Sequence, residues 1–277
     1  MKPFESFLAK QLEEYVAYRN ALGYAKMPLR HRLAAFDRYL QKQNINRHPL
    51  QPWFFLQLRT QISSHPNTVN EILLDIRGFF RFLVRKGVLD QNPLTDIPKL
   101  AKRYFVPFVF SPQQTELLIK AVCKNIRKRQ KYFLLDMAIY MAIVMLARCG
   151  MRINEPLHLQ RCHYRKEEAT VYIHRTKFRK DRLLPLPKAV LAEIENYLAL
   201  RKIVYPNDQN PYLLAGRGQA PLKDYHIRRV FHRAVRHIGL DRPKQVIGNV
   251  TFGAPVPHSL RHSFAINTLN KIQARGQ

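Results

Sequence analysis

The stretch Tyr132–Ala147 limits the possible folds more than any other part of the sequence, because almost every side chain in it is apolar. It is shorter than the roughly 20 residues that a membrane-spanning helix needs, and Asp136 interrupts it. A helix that is apolar on all sides has to be covered by other elements. The sequence therefore predicts a buried core helix that ends at Cys149-Gly150.

The residues before this stretch predict a separate helical domain, and 277 residues are enough for two domains. Apolar residues recur at helical spacing, and the clearest helix begins with a capping box at Thr68 and ends at Gly87. Prolines then break the pattern, and the residues that follow look extended. We expect a helical domain over 1–98, a linker over 99–110 and a second domain over 111–277.

The chain carries a large excess of positive charge, with 47 Lys and Arg against 19 Asp and Glu and a formal net charge of +28. Residues 1–100 hold 15 basic and 8 acidic residues, whereas residues 101–277 hold 32 and 11. This surplus favours a polyanionic partner. Nucleic acid fits better than an anionic membrane, because the basic residues are spread along the whole chain.

Cysteine usage and the first residues indicate where the protein works. The three cysteines show no CxxC spacing, which argues against zinc and against a disulfide framework. Charged residues interrupt the N-terminal apolar positions, so no signal peptide is predicted. We expect an intracellular, reducing environment.

Basic side chains recur on three predicted elements that could contact a nucleic-acid backbone. The first is the helix that starts at Thr68, the second is a hairpin of strands 169–174 and 182–186, and the third is a helix near 223–238. Charged faces of this kind are also common on solvated helices and turns, but the net charge favours DNA contact. The residues are Arg77, Arg81 and Arg85 on the first helix, Arg175, Arg179 and Lys180 in the hairpin turn, and Arg228, Arg229 and Arg233 on the last helix.

The C-terminal segment predicts an anion site at the start of a helix. With Ser259 as N-cap, His258 and Arg261 leave near one edge of the first turn. Unpaired N–H groups and the helix dipole favour an anion there, most naturally a phosphate. A solvated basic turn would give the same pattern.

A second candidate residue, Arg152, lies in the tight connection after the core helix. Gly150 allows an unusual backbone there, and a new helix is predicted from about Asn154. Glu155 is close enough in sequence to orient the guanidinium of Arg152. An exposed loop arginine would also fit these residues.

Three motifs, taken in chain order, resemble those of the tyrosine recombinase (phage integrase) family. They are the Gly-x-Arg-x-x-Glu segment 150–155, the Thr176-Lys177 pair of the hairpin, and the His-x-Leu-Arg-His segment 258–262. Residues 69–98 also resemble the helical core-binding domain of that family. The resemblance implies a mainly α fold with a small β-sheet. A helical, SAM-like core-binding domain and a mixed α/β catalytic domain would close around a duplex as a two-domain clamp.

The resemblance implies metal-free phosphoryl transfer on DNA. Arg152 and Arg261 would hold the non-bridging oxygens of the scissile phosphate, and Glu155 would support the first arginine. His258 would donate a hydrogen bond or help to move a proton. Lys177 would protonate the departing 5′-oxygen as a general acid.

Two features of the C-terminal part bear on the chemistry. No acidic residue follows Asp241, so this part offers no carboxylates for a two-metal site, and neither metal nor cofactor is expected. The family's nucleophilic tyrosine and the Gly-His/Trp element before it are also missing, since the last of thirteen tyrosines is Tyr225. We therefore expect either a recombinase with an incomplete C-terminal segment or an inactive relative that occupies recombination sites.

The expected partner is a double-stranded DNA recombination site. The complete family member would act as a tetramer on two duplexes, and this chain as a monomer, in the cytoplasm of a bacterial-type cell and in association with the nucleoid. No membrane is expected to take part. An alternative is an RNA-binding or ribosome-associated basic protein, which would need no ordered arginine motifs. A type IB topoisomerase shares the active-site logic, but its architecture does not resemble residues 1–98.

Overall fold

The computed structural model describes residues 2–45, 51–174, 181–216 and 218–276. The chain forms two compact units, Met1–Tyr104 and Phe105–Gln277. Most of the described residues are helical and the strands are short, so the predicted mainly α fold with small sheets is confirmed. The predicted clamp and the roles of the two domains stay predictions.

The first unit is built from helices around the long helix α4. Their bounds are α1 (Ala9–Ala21), α2 (Lys26–Lys42), α3 (Pro52–Gln61) and α4 (Pro66–Arg85). The apolar stripe of α4 is fully buried at Ile76, Phe80 and Leu83. The helix begins before the predicted Thr68 cap, because Pro66 has a backbone angle suited to a first helical position.

Arg77 has a different environment from the DNA contact that the sequence predicts. Its Nε donates to the carbonyl oxygen of Leu94 at 3.0 Å, and its Nη2 donates to that of Ile97 at 2.8 Å. Asn92 in turn donates from Nδ2 to the carbonyl oxygen of Arg77 at 3.0 Å. The guanidinium therefore fastens the segment after α4 to that helix, because the buried Leu94 and Ile97 bring their carbonyl groups within its reach.

The second unit surrounds the predicted core helix. Its helices are α5 (Pro112–Lys124), α6 (Gln130–Arg148), α7 (Asn154–His158), α8 (Lys188–Val204), α9 (Asp224–His237) and α10 (Pro257–Gln273). Helix α6 contacts α5, α8, α9 and α10, and its residues from Ala138 to Ala147 are buried except Tyr140. Among the described helices, α6 is the one whose length and composition would allow it to cross a membrane. Its burial in the core accounts for its apolar sequence.

Two small sheets complete the described part of this unit. Strands β2 (Tyr164–Arg165), β3 (Thr170–Ile173) and β4 (Arg182–Pro185) form an antiparallel sheet in the order β2-β3-β4. The second sheet has the order β1-β6-β5 and consists of β1 (Tyr104–Val106), β5 (Gln245–Ile247) and β6 (Val250–Phe252). Ile173 pairs with Arg182, so residues 174–181 connect the two strands of the predicted hairpin.

The expected linker over 99–110 is structured in its second half. Strand β1 lies within it, and the N–H of Gly253 donates to the carbonyl oxygen of Val106 at 2.9 Å. Phe108 and Phe110 are buried in the core of the second unit. Burial of these two aromatic side chains holds this part of the segment against the second unit, because exposing their apolar surface to water would cost free energy.

Candidate functional site

The connection that carries Arg152 is shaped by Gly150 and by helix α10. Gly150 has a φ of +59°, which is left-handed backbone that favours glycine. A methyl group on this residue would lie 2.9 Å from Cε1 of Phe264 and closer still to Cδ1. Helix α10 therefore packs directly against the turn between α6 and α7.

Helix α10 begins at Pro257, so the prediction of Ser259 as its N-cap is wrong. Pro257 is suited to the first helical position, because its fixed φ is helical and its missing N–H would have no partner there. Ser259 instead lies in the first turn, and its Oγ accepts from the N–H of Val256 at 3.2 Å. His258 consequently sits at the second helical position, near the N-terminal end where unpaired N–H groups collect.

Arg261 joins α10 to the connection. Its Nη1 donates to the carbonyl oxygen of Gly150. Burial lowers the pKa of Arg261, and repulsion from Arg152 and Arg182 lowers it further. A guanidinium stays charged despite such shifts. Arg152 and Arg182 lower this pKa and Glu155 opposes them, so a bound anion would add to the attraction that Glu155 supplies.

Glu155 holds two of these arginines. Its Oε2 accepts from the backbone N–H of Arg152 at 2.7 Å, and its Oε1 accepts from Nη1 of Arg152 at 3.0 Å. Its Oε2 also accepts from Nη2 of Arg182 at 2.8 Å. The carboxylate is buried, with 7% of its side chain exposed, whereas the side chains of Arg152 and Arg182 are 35% and 30% exposed. One buried carboxylate thus fixes two guanidinium groups that still reach solvent.

Arg182 is a site residue that the sequence reasoning missed. It opens strand β4, and its contact with Glu155 ties the turn end of the paired strands β3 and β4 to the connection after α6. The available signal was its position at the turn end of a predicted strand. That signal does not reveal the face of the strand on which the arginine lies.

His258 is exposed and faces the same cations. Partial burial of its ring lowers its pKa, and the nearby His262, Arg261 and Arg152 lower it further. The ring of His262 packs edge-on against it, with centroids 4.7 Å apart. A lowered pKa keeps the imidazole of His258 neutral near pH 7, so it can either donate a hydrogen bond or take up a proton.

The cluster opens into a cleft of about 710 Å³. Arg152, Glu155 and His258 line one part of it, and Tyr172 and His174 of the hairpin line another. The guanidinium of Arg152 and the imidazole of His258 therefore share one accessible cavity, which suits an anionic oxygen-rich ligand.

The predicted hairpin-turn residues Arg175, Lys177, Arg179 and Lys180 lie outside the described residues. On the described helices, Arg81 and Arg85 are exposed, and so are Arg228, Arg229 and Arg233 of α9. Nε of Arg228 donates to Asp224 at 3.1 Å. The guanidinium of Arg85 lies 5.5 Å from the centre of the Tyr18 ring.

The surroundings of Tyr172, Tyr225 and Cys149 do not favour any of them as a nucleophile in the cleft. The hydroxyl of Tyr172 donates to Asp181, and this bond raises its pKa, which opposes formation of the phenolate. Tyr225 lies exposed at the start of α9, and it is not among the residues that line the cleft. Burial raises the pKa of Cys149 to about 12, so its thiol is unreactive.

The described residues contain no cluster of three or more His, Cys, Asp or Glu side chains that could hold a metal ion. They do hold together two arginines that hydrogen-bond a common carboxylate, a third arginine and a neutral histidine. Such a set can bind and polarise a phosphate group.

Comparison with known proteins identifies the family. The model of the phage integrase family matches residues 109–273. The tyrosine recombinase XerC of Alcanivorax borkumensis is 30% identical over 205 residues, which cover 73% of this chain and 60% of that protein. A putative integrase/recombinase of Sinorhizobium fredii, y4rE, is 26% identical over 278 residues, which cover 98% of this chain and 83% of that protein.

Solved structures show the same fold. The lambda integrase dimer bound to a core site has a TM-score of 0.67 at 13% identity, covering 94% of this chain and 88% of that one. The XerH site-specific recombinase bound to its difH substrate has a TM-score of 0.68 at 19% identity, covering 95% of this chain and 74% of that one. Together with the family model, which covers more than half of the sequence, these matches show that the chain belongs to the phage integrase family of tyrosine recombinases.

Proposed function

We propose that this chain binds a double-stranded DNA recombination site and holds one backbone phosphate between Arg152 and Arg261. The single observation that carries the proposal is the convergence of Arg152, Arg182 and Arg261 with His258 beside the cleft that Arg152 and His258 line. The single carboxylate of Glu155 balances only part of the charge of three arginines. A phosphodiester would supply further negative charge.

The proposed reaction transfers the 3′-phosphoryl group of one DNA strand from the 5′-oxygen of the next nucleotide to a tyrosine. The phenolic oxygen attacks phosphorus, the bond from phosphorus to the 5′-oxygen breaks, and a 3′-phosphotyrosyl linkage forms. Arg152 and Arg261 stabilise the charge that builds on the non-bridging oxygens. His258 donates a hydrogen bond to one of them or accepts the phenolic proton.

Lys177 delivers a proton to the departing 5′-oxygen. The support for this role is its place in the sequence between Ile173 and Arg182, because Arg182 is bound to Glu155 at the turn end of the two strands. Lys177→Ala should slow cleavage. A substrate with a 5′-bridging phosphorothiolate should restore the rate, because a thiolate leaves without a proton.

The basic residues away from the cleft are proposed to hold the duplex backbone. Arg81 and Arg85 would do so in the first unit, and Arg228, Arg229 and Arg233 would do so on α9. Arg175, Arg179 and Lys180 would act from the hairpin turn. The titles of the matched lambda integrase and XerH structures describe DNA-bound proteins, which supports duplex DNA as the ligand. The two units would form a clamp on it, inside the cell and associated with its DNA.

The source of the nucleophile separates two versions of the proposal. No tyrosine follows Tyr225 in this sequence, and Tyr172 is engaged with Asp181. In the first version a tyrosine from outside these 277 residues enters the cleft, and recombination proceeds in a tetramer on two duplexes. In the second version the protein is an inactive relative that occupies recombination sites.

The experiment begins with selection of the bound site from random duplexes. A version of that site nicked near the scissile position would trap a covalent adduct, because the short released strand diffuses away. The assay is run with a segment that supplies the outside tyrosine: an adduct that disappears in Arg152→Ala then supports the recombinase, and site-specific binding that still gives no adduct supports the inactive relative. Binding without any sequence preference would contradict both.

A further inference from the structure

A row of aromatic rings continues the cleft beyond the arginine and histidine cluster, and the proposed cleavage does not use it. Tyr172 lies on β3, and His174 directly follows that strand. Their ring centroids are 6.2 Å apart, with 30° between the ring planes. The ring of His163, from the turn before β2, lies 5.7 Å from that of Tyr172. All three side chains line the cleft that also contains Arg152 and His258.

The alternation of the strand explains why the rings face outward. Val171 and Ile173 are buried in the core, so Tyr172 and His174 must lie on the opposite face of β3. The hydroxyl of Tyr172 donates to Asp181, which fixes the ring by its polar end and leaves its apolar body in the cleft. The side chain of His174 is 48% exposed.

His163 of this row can act as a flat, uncharged surface. Burial lowers the pKa of His163, and His174 lowers it further by repulsion. A neutral imidazole beside a phenol ring stacks on other π systems without the desolvation cost of a charge. The row is therefore chemically unlike the guanidinium of Arg152 in the same cleft.

A guanidinium and a row of rings in one cleft match the chemistry of an unpaired nucleotide, whose phosphate and base need different partners. Paired bases inside a duplex show their edges and hide their faces, so a duplex cannot use such rings. The cleft volume of about 710 Å³ is within the usual range for small-ligand sites, about 300–1,000 Å³.

We propose that Tyr172, His174 and His163 bind an unpaired nucleobase of the strand whose phosphate lies at Arg152 and His258. The inference rests on the proposed function, because strand transfer is the step that leaves a base unpaired. A strand that rejoins to a new partner first unpairs from its old complement. A base held on these rings would keep the separated end near the cluster.

The test compares two probes of equal length, a blunt duplex and a forked duplex whose first unpaired base is the fluorescent 2-aminopurine. We expect the forked probe to bind about 10-fold more tightly, with quenching of 2-aminopurine by stacking. Tyr172→Leu combined with His174→Leu should bring the affinity ratio close to one and abolish the quenching. Tyr172→Phe should keep both signals, because it keeps the ring.

Tyr205→Leu, the same change at a 47%-exposed tyrosine after α8 and outside the cleft, is the matched control and should behave as wild type. Retention of the tenfold preference and of the quenching in the Leu double variant would overturn the inference. Arg152→Gln should weaken both probes by a similar factor. If Arg152→Gln changed neither affinity while the Leu variants abolished the preference, the proposed phosphate site would fail and the base site would stand.

Discussion

Gly150→Ala is the substitution whose cost follows most directly from the structure. Left-handed backbone at φ +59° costs an alanine about 1–2 kcal/mol. The new methyl group would also overlap the ring of Phe264, and such overpacking costs about 1–3 kcal/mol. The expected loss in the free energy of unfolding is therefore about 2–5 kcal/mol.

Gly239→Ala supplies the matched control. Gly239 has a similar φ of +70°, but a methyl group there would meet no atom within 4 Å. It should show the backbone cost alone, so Gly150→Ala should be about 1–3 kcal/mol worse. Urea unfolding followed by far-ultraviolet circular dichroism measures both variants under the same conditions.

A double variant isolates the contact. Phe264→Ala makes space for the methyl group, so Gly150→Ala should cost about 1–3 kcal/mol less in that background. Equal losses in Gly150→Ala and Gly239→Ala, with no effect of Phe264→Ala on the difference, would refute the close approach of α10 to the connection. The position of Arg261 next to the carbonyl oxygen of Gly150 would then also be wrong.

Three further predictions concern charged groups. Glu155→Gln should lower the free energy of unfolding by about 1–3 kcal/mol in urea titrations, because two guanidinium groups lose a buried carboxylate. The control Glu168→Gln removes an exposed ion pair and should leave the free energy of unfolding unchanged. His258 has a lowered pKa in the folded protein, so the unfolded chain binds more protons as the pH falls through about 6.5. Stability should therefore decrease on acidification from pH 7 to 5.5, and less so in His258→Asn. Arg77→Gln should lower stability by about 1–2 kcal/mol and leave the salt dependence of DNA binding unchanged, whereas Arg81→Gln should reduce that dependence.

Local sequence patterns predicted much of the fold because they depend on few neighbours. The apolar run that became α6 had to be buried. Arg152 and Glu155 are three residues apart, so their contact was expected. Helix starts were less certain, since Thr68 and Ser259 offered plausible caps while a proline two residues earlier began each helix.

The contacts that sequence reasoning missed join distant residues. Arg182 meets Glu155 across 27 positions, and no local period encodes that distance. Arg77 has the spacing of an exposed basic face, yet its guanidinium bonds to carbonyl groups of a later segment. The β5–β6 hairpin did carry a signal, the Gly248-Asn249 turn between β-branched residues, with φ +58° at the glycine.

The central claim is that Arg152 and Arg261 act on one and the same phosphate of a duplex. Replacing the phosphates of the selected site one at a time by uncharged methylphosphonates, and measuring the dissociation constant for each, tests this claim directly. At one position the loss of charge should weaken binding by the wild-type chain and have little effect in both Arg152→Ala and Arg261→Ala. Undiminished sensitivity of both variants at every position, or two different positions for the two arginines, would contradict the account.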